Sequence, residues 1–195
     1  MPNTRDMLVE VARQLFAKSG VESTTMNDIA HASKRGRRTL YTYFKNKDEV
    51  YQAVIESEIN NLHVSLSNVL QTEMRADKKL VTYIYARLDA VKNVVWRNGT
   101  LRAVFFRDIW KVENVRRKFD IRDIEIIRTI IEDGVKENIF VVPDPAITAS
   151  VLHYALKGLE VPYIRGIIGE GISREENILS LILNGIRVNR TTIHP

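Results

Sequence analysis

Apolar side chains recur every three to four residues along most of this chain, the rhythm of helices that bury one face. Met7, Leu8, Val11, Ala12, Leu15 and Phe16 predict a helix from about Thr4 to Ser19. Gly20 supplies the left-handed residue that closes it, and Val21 can then fold back on Phe16. Thr25, with Asp28 in the first turn, reads as the N-cap of a short helix from Met26 to Ser33, whose inward face is Ile29 and Ala30. Lys34, Arg35 and Gly36 form the only candidate turn before a third short helix, in which Leu40 and Phe44 face inward. Asn46 and Glu49 make an N-cap and N3 pair opening a much longer helix.

Beyond that point the same spacing continues. Val50, Val54, Ile59, Leu62, Leu66 and Val69 carry the long helix to about Gln71, and Leu80, Ile84, Leu88, Val91 and Val95 define another from Asp77 to Trp96, ended by Asn98-Gly99. An aromatic-rich segment runs from Leu101 to about Trp110, and a helix from about Asp120 to Asn138 should bury Ile124, Ile127, Ile131 and Val135. Asp144-Pro145 caps a further helix to about Val161, where Pro162 is expected to end or kink it. Gly166, Gly169 and Gly171 mark a loop, and Ser173-Arg174-Glu175-Glu176 is a capping box for a last helix. The expected architecture is all-α with about nine helices. It divides into a three-helix head, residues 1–47, and a helical body, residues 48–195.

Composition narrows the function. With 45% hydrophobic and 27% charged residues the chain is of ordinary globular make-up. The absence of cysteine excludes disulfides, a thiolate zinc site and a cysteine nucleophile. The first residues have neither a basic nor an apolar signal region, and no apolar run approaches the roughly 20 residues of a membrane span, so a cytoplasmic location is expected. His31, His63, His153 and His194 are scattered without metal-ligand spacing, and no nucleophile elbow, phosphate loop or dinucleotide glycine pattern occurs. An enzyme is not expected, nor a cofactor or metal. A lone histidine such as His153 on an apolar helix reads as a satisfied core residue.

Charge is unevenly placed. The net charge is +5, and residues 1–50, with nine Lys/Arg against six Asp/Glu, hold +3 of it. Lys34, Arg35, Arg37, Arg38, Lys45 and Lys47 follow one another with no acid between them. Two short helices across a three-residue turn, the second showing Arg37, Arg38, Tyr41, Thr42 and Tyr43 outward, describe a helix-turn-helix aimed at DNA. Such a helix fits the major groove, where Arg, Thr and Tyr reach base edges or phosphate oxygens.

The string Thr39-Leu40-Tyr41-Thr42-Tyr43-Phe44 followed by Lys47 resembles the recognition-helix signature of TetR-type transcriptional regulators. Leu15-Phe16, Gly20, Thr24-Thr25, Ile29-Ala30 and Ala32 fall at matching spacing, so the resemblance covers about residues 4–55. It implies that Thr25 touches a phosphate, that Thr39, Tyr43 and Lys47 clamp the backbone, and that Arg37, Arg38, Tyr41 and Thr42 face the groove. The chain departs from the family at the turn, where glycine, a small apolar residue and serine are usual. Here Lys34 would occupy a left-handed position at a cost of about 1 kcal/mol relative to glycine. With Arg35 it adds charge for phosphate.

The body suggests association and sensing. The last helix, with Leu179, Ile182, Leu183 and Ile186, is apolar around most of its circumference, and the helix carrying Val151, Leu152 and Ala155 is similarly broad. Two such helices from each copy would form a four-helix homodimer interface, as the resemblance also implies. Trp96, Phe105, Phe106, Trp110 and Tyr154 read either as core or as the lining of a pocket for a small, largely apolar effector. The leading expectation is a repressor released from a palindromic operator in double-stranded DNA by such an effector. The alternative is a DNA-bound structural or interaction protein whose body recruits a protein partner.

Overall fold

The computed structural model describes residues 3–97, 109–168 and 184–186, with the backbone alone described at 97 and 109–116. Seven α-helices and one 3₁₀ turn succeed one another, with no strand among the described residues: α1 (Thr4–Ser19), α2 (Met26–Ala32), α3 (Arg37–Tyr43), α4 (Lys47–Ser67), the 3₁₀ turn (Asn68–Gln71), α5 (Ala76–Arg97), α6 (Ile109–Lys136) and α7 (Pro145–Ile164). The all-α expectation holds. None of the described helices is long and apolar enough to cross a membrane. The chain divides into two compact units, residues 1–62 with 93–119 and residues 63–92 with 120–195.

Several helix boundaries in the first unit have a local cause. The Asn3 side chain accepts from the Asp6 amide at 2.9 Å and starts α1; Gly20, at φ 90°, ends it by donating to the Phe16 carbonyl. Thr25 and Asp28 form a full capping box on α2. Asn46 Oδ1 accepts from the Glu49 amide at 2.9 Å, while the Glu49 carboxylate reaches back one residue further than a capping box requires, to the Lys45 amide at 2.7 Å. The core is continuous from Leu8, Ala12 and Phe16 of α1 through Ile29 and Leu40 to Val50, Val54 and Ile55 of α4. The Tyr51 ring meets Phe16 edge-on at 6.0 Å between centroids. Thus the first two turns of α4 complete the head's core.

In the second unit α5 buries Leu80, Tyr83, Ile84 and Leu88. Helix α6 differs from expectation at its start. It begins at Ile109 and not near Asp120, because no proline or glycine interrupts residues 109–119 and Asp120 is not a cap. Its carboxylate instead meets Lys157 of α7 at 2.8 Å. The buried stripe is also rotated: Asp123, Ile126, Ile127, Ile130 and Ile131 face inward, and Val135 is exposed. Asp144 caps α7 through the Ala146 and Ile147 amides, as its sequence promised, but the helix runs through Pro162 to Ile164. Tertiary contacts hold that last turn: Tyr163 is buried, with its hydroxyl on Asp89 of α5, and Lys92 lies 5.3 Å from its ring.

After α6 the chain reverses sharply. Asn138 takes a left-handed conformation, φ 56°, and the amides of Ile139 and Phe140 both return to the Gly134 carbonyl, at 2.8 and 3.0 Å. This lays the buried Phe140 ring across Gly134, where an added Cβ would come within 2.1 Å of Phe140 Cδ2. Gly134→Ala is therefore expected to destabilise the protein by about 1–3 kcal/mol, the range for overpacking a core. Combining it with Phe140→Leu should cost less than the sum of the two single changes in urea unfolding. Strict additivity would show that the ring and residue 134 do not press on each other.

Candidate nucleic-acid interface

The turn between α2 and α3 is a Schellman motif. The Lys34 amide bonds the His31 carbonyl at 3.1 Å, and the Arg35 amide bonds Ala30 at 3.2 Å. The motif places Lys34 at φ 53°, the left-handed region that glycine occupies without strain. Gly36 then precedes α3 in an extended conformation without a side-chain cap. Helix α3 holds on to the head by Leu40 and Phe44, both buried.

Everything else on α3 is turned outward or lies at its margin. Arg37, Arg38, Tyr41, Thr42 and Tyr43 are exposed, as are Lys34 and Arg35, while Thr39 is half-buried. Tyr41 and Tyr43 keep 44% and 42% of their surface open, which for rings in a basic stretch is not the packing of core residues. The Arg37 guanidinium carbon lies 6.0 Å from the Tyr41 ring centroid, one turn along. Thr42 Oγ1 donates back to the Arg38 carbonyl at 2.9 Å, leaving its methyl and oxygen lone pairs outward. With no acid in its first turn and four cations at its entry, α3 presents a face suited to a polyanion.

Two further residues bear on this face. Thr25 is exposed, and its hydroxyl donates to Asp28 at 2.7 Å while accepting from the Asp28 amide. Donation from the Thr25 hydroxyl and from the Thr25 amide, at 2.8 Å, lowers the Asp28 carboxyl from its ordinary value. Lys47 is half-buried, and its ammonium donates to the Val21 carbonyl at 2.7 Å and the Glu22 carbonyl at 3.1 Å. It thus ties the start of α4 to the loop leading into Thr25.

The body residues separate. On α7, Ile147, Val151, Tyr154 and Ala155 form an exposed apolar stripe, whereas Leu152 points into the core. Ile186 is half-buried, its carbonyl accepting from the Val141 amide at 2.8 Å. Leu179, Ile182 and Leu183, and the expected last helix apart from its final turn, lie outside the described residues, as do Phe105, Phe106 and the Trp110 side chain. Trp96 and Tyr154 are exposed at 57% and 63% and line no interior in the described chain.

What the sequence did not reveal is a buried polar cluster in the second unit. Asp123 Oδ2 takes Arg87 Nε at 2.7 Å and His153 Nδ1 at 2.6 Å, its Oδ1 takes the Tyr83 hydroxyl, and Arg87 Nη2 lies 3.0 Å from Glu160. Burial alone would raise the Asp123 carboxyl, but hydrogen bonds from His153 and Tyr83 and the charge of Arg87 hold it below the usual range. Burial, with Asp123 beside it, raises the Tyr83 phenol. The available signal was that Arg87, Asp123 and His153 each interrupt an apolar helix face.

Residues 8–54 match the sequence model described as bacterial regulatory proteins, tetR family. The chain is 20% identical over 187 residues to the HTH-type transcriptional regulator QacR of Staphylococcus aureus, covering 94% of this chain and 98% of that one. It is 28% identical over 147 residues to the HTH-type transcriptional repressor KstR2 of Mycolicibacterium smegmatis, covering 70% and 67%. Its fold is similar to the crystal structure of a transcriptional regulator from Cytophaga hutchinsonii, with a TM-score of 0.75 at 23% identity over 94% and 98% of the two chains. These relatives are regulators of transcription and not enzymes.

Strain at Lys34 allows stability and charge to be separated. Lys34→Gly should stabilise the head by up to about 1 kcal/mol by relieving the left-handed backbone. It should also weaken binding to any DNA and lower the salt slope by about one unit if the ammonium meets a phosphate. A variant that gains stability and binds with an unchanged slope would remove Lys34 from the interface.

Proposed function

We propose that this transcriptional regulator, whose head is that of the tetR family of bacterial regulatory proteins, is a dimeric repressor that a small molecule releases from a palindromic operator. The observation that carries the reading is the outward face of α3. Arg37, Arg38, Tyr41 and Thr42 are exposed on a helix fixed from behind by Leu40 and Phe44, next to a turn that keeps a strained lysine. In this reading Thr25, Thr39 and Tyr43 meet phosphates with Lys34 and Arg35. Lys47 acts by holding the loop that presents Thr25, since its ammonium is committed to two carbonyls.

The exposed stripe on α7 supports association. Four apolar side chains in line on one otherwise ordered helix would be covered by the same helix of a second copy, together with the segment around Leu179, Ile182, Leu183 and Ile186. Such a dimer would set two α3 helices into successive major grooves, about 34–36 Å apart or somewhat more. The chain's similarity to the transcriptional repressor KstR2 agrees with repression here. An effector held by the body would act only by its unequal affinity for the two spacings, typically about 1–3 kcal/mol of coupling.

Selection of DNA sequences bound by the full chain, followed by release with candidate small molecules, tests the whole reading. A palindromic consensus is expected, and DNA bound without any two-fold pattern would count against it. Arg37→Ala should reduce the salt slope by about one unit on every sequence, whereas Thr42→Ala should relax preference at one position per half-site by roughly 1–3 kcal/mol. Uniform losses from both would show that α3 grips phosphate without reading bases. Val151→Asp alters a side chain already 65% exposed in the single chain, so the fold should persist while the dimer is lost in sedimentation. An intact dimer would put the interface elsewhere.

A further inference from the structure

His153 lies on the inward side of α7 and is fully buried. Its ring stands between two carboxylates of α6: Nδ1 is 2.6 Å from Asp123 Oδ2, and Nε2 is 3.5 Å from Asp120 Oδ1. A neutral imidazole has one N–H and one lone pair, so in either tautomer it turns a lone pair toward a carboxylate. Only the imidazolium presents an N–H to both.

The surrounding groups come from every helix that packs here. Helix α5 contributes Arg87, which shares Asp123 Oδ2 with His153, and Tyr83, which donates to the other oxygen. From α7 itself come Lys157, 2.8 Å from Asp120 Oδ2, Glu160 beside Arg87, and the Tyr154 ring, edge-on to His153 at 5.1 Å. From α4, His63 is pushed below its ordinary value by burial and by Arg122 of α6, with Asp123 opposing, so its shift runs opposite to that of His153. Arg87 keeps its charge at all relevant pH, because Asp123 and Glu160 outweigh its burial.

We propose that His153 is a proton-operated clasp: with both ring nitrogens protonated it ties α7 to α6 through Asp123 and Asp120, and loss of the proton loosens α7 and with it the outer face through which two copies associate. The two faces belong to one helix. His153 is flanked in sequence by buried Leu152 and exposed Tyr154, and its outward neighbours Val151 and Ala155 lie on the apolar stripe. The clasp stands on the contacts within one chain; its effect on association rests on the dimer reading given above.

The sign follows from the contacts. Burial by itself would lower the His153 value, but the interactions with Asp120 and Asp123 outweigh it and leave the group raised above 6.5. A raised group contributes stability that is complete below the unfolded value and is lost as pH climbs through the folded one. The clasp is therefore fully closed below the ordinary histidine value of 6.5 and opens as pH climbs through the raised folded one. Each unit of separation between the folded and unfolded values changes the folded-to-unfolded ratio about tenfold across that window.

The test uses the full chain from about pH 5.5 to about pH 9, the range in which a histidine switch is read. Three quantities are measured: the ring proton resonances of the histidines, urea unfolding, and dimer dissociation by sedimentation. In the unaltered protein one histidine should titrate above 6.5 and be absent from His153→Gln, while stability and association both fall as pH rises. Asp120→Asn, which keeps the shape of the side chain and removes only its charge, should move that titration down and flatten both dependences even if His153→Gln folds poorly. A His153 resonance titrating at or below 6.5, or Asp120→Asn leaving it unmoved, would overturn the clasp. Stability that follows the His153 titration while the dimer constant stays flat would overturn the coupling to association and, with Val151→Asp still dimeric, the dimer reading itself.

Discussion

A buried carboxylate sits where three helices of the second unit meet: Asp123 of α6 accepts from Tyr83 and Arg87 of α5 and from His153 of α7. Packing by Leu80, Ile84, Ile127, Ile130 and Leu156 could be satisfied in several rotations of these helices, since one branched aliphatic replaces another with little cost. The carboxylate removes that freedom, because both oxygens must find their donors. Desolvating the ions is expensive, and an apolar core of equal volume could be as stable or more so. What the polar arrangement adds is a defined register, and removing one partner from such a pair typically costs about 3–5 kcal/mol through the charge left behind. The rotation of α6, which brings Asp123 inward and puts Val135 outside, is the geometric trace of this constraint.

The head is organised on the opposite principle. Its helices are delimited by contacts no more than a few residues long: Asn3 with Asp6, Thr25 with Asp28, Lys34 with His31, Asn46 with Glu49. Longer ties join them: Lys47 reaches back to Val21 and Glu22, and Arg13 Nε lies 3.7 Å from Glu58. Because order comes from caps and a small shared core, α3 needs only Leu40 and Phe44 to stay in place. Its other positions, the half-buried Thr39 aside, are exposed.

That contrast explains what could be read from the chain. The limits of α1, the Thr25 N-cap and the left-handed Lys34 were legible because each depends on neighbours in sequence. The exposure of Arg37, Arg38, Tyr41, Thr42 and Tyr43 was legible for the same reason, since Leu40 and the C-cap Phe44 take the inward positions of so short a helix. The polar cluster was not, since Arg87 and His153 stand 36 and 30 residues from Asp123 and nothing in the spacing joins them. Asp120 was misleading: an acid ahead of a new apolar run looks like a helix start, but its partner is Lys157, 37 residues away. Pro162 misled in the same way, its local preference overridden by the burial of Tyr163.

The placing of Arg37 over Tyr41 has a consequence for how this face could change through descent or by design. A guanidinium resting on a ring has part of its orientation set by that ring, so the two positions do not contribute independently. Altering Tyr41 alone would also remove the ring that Arg37 lies beside, and a lysine at 37 would present a point charge in place of a planar guanidinium. Substitution maps of α3 should therefore show a coupled pair instead of two separate preferences.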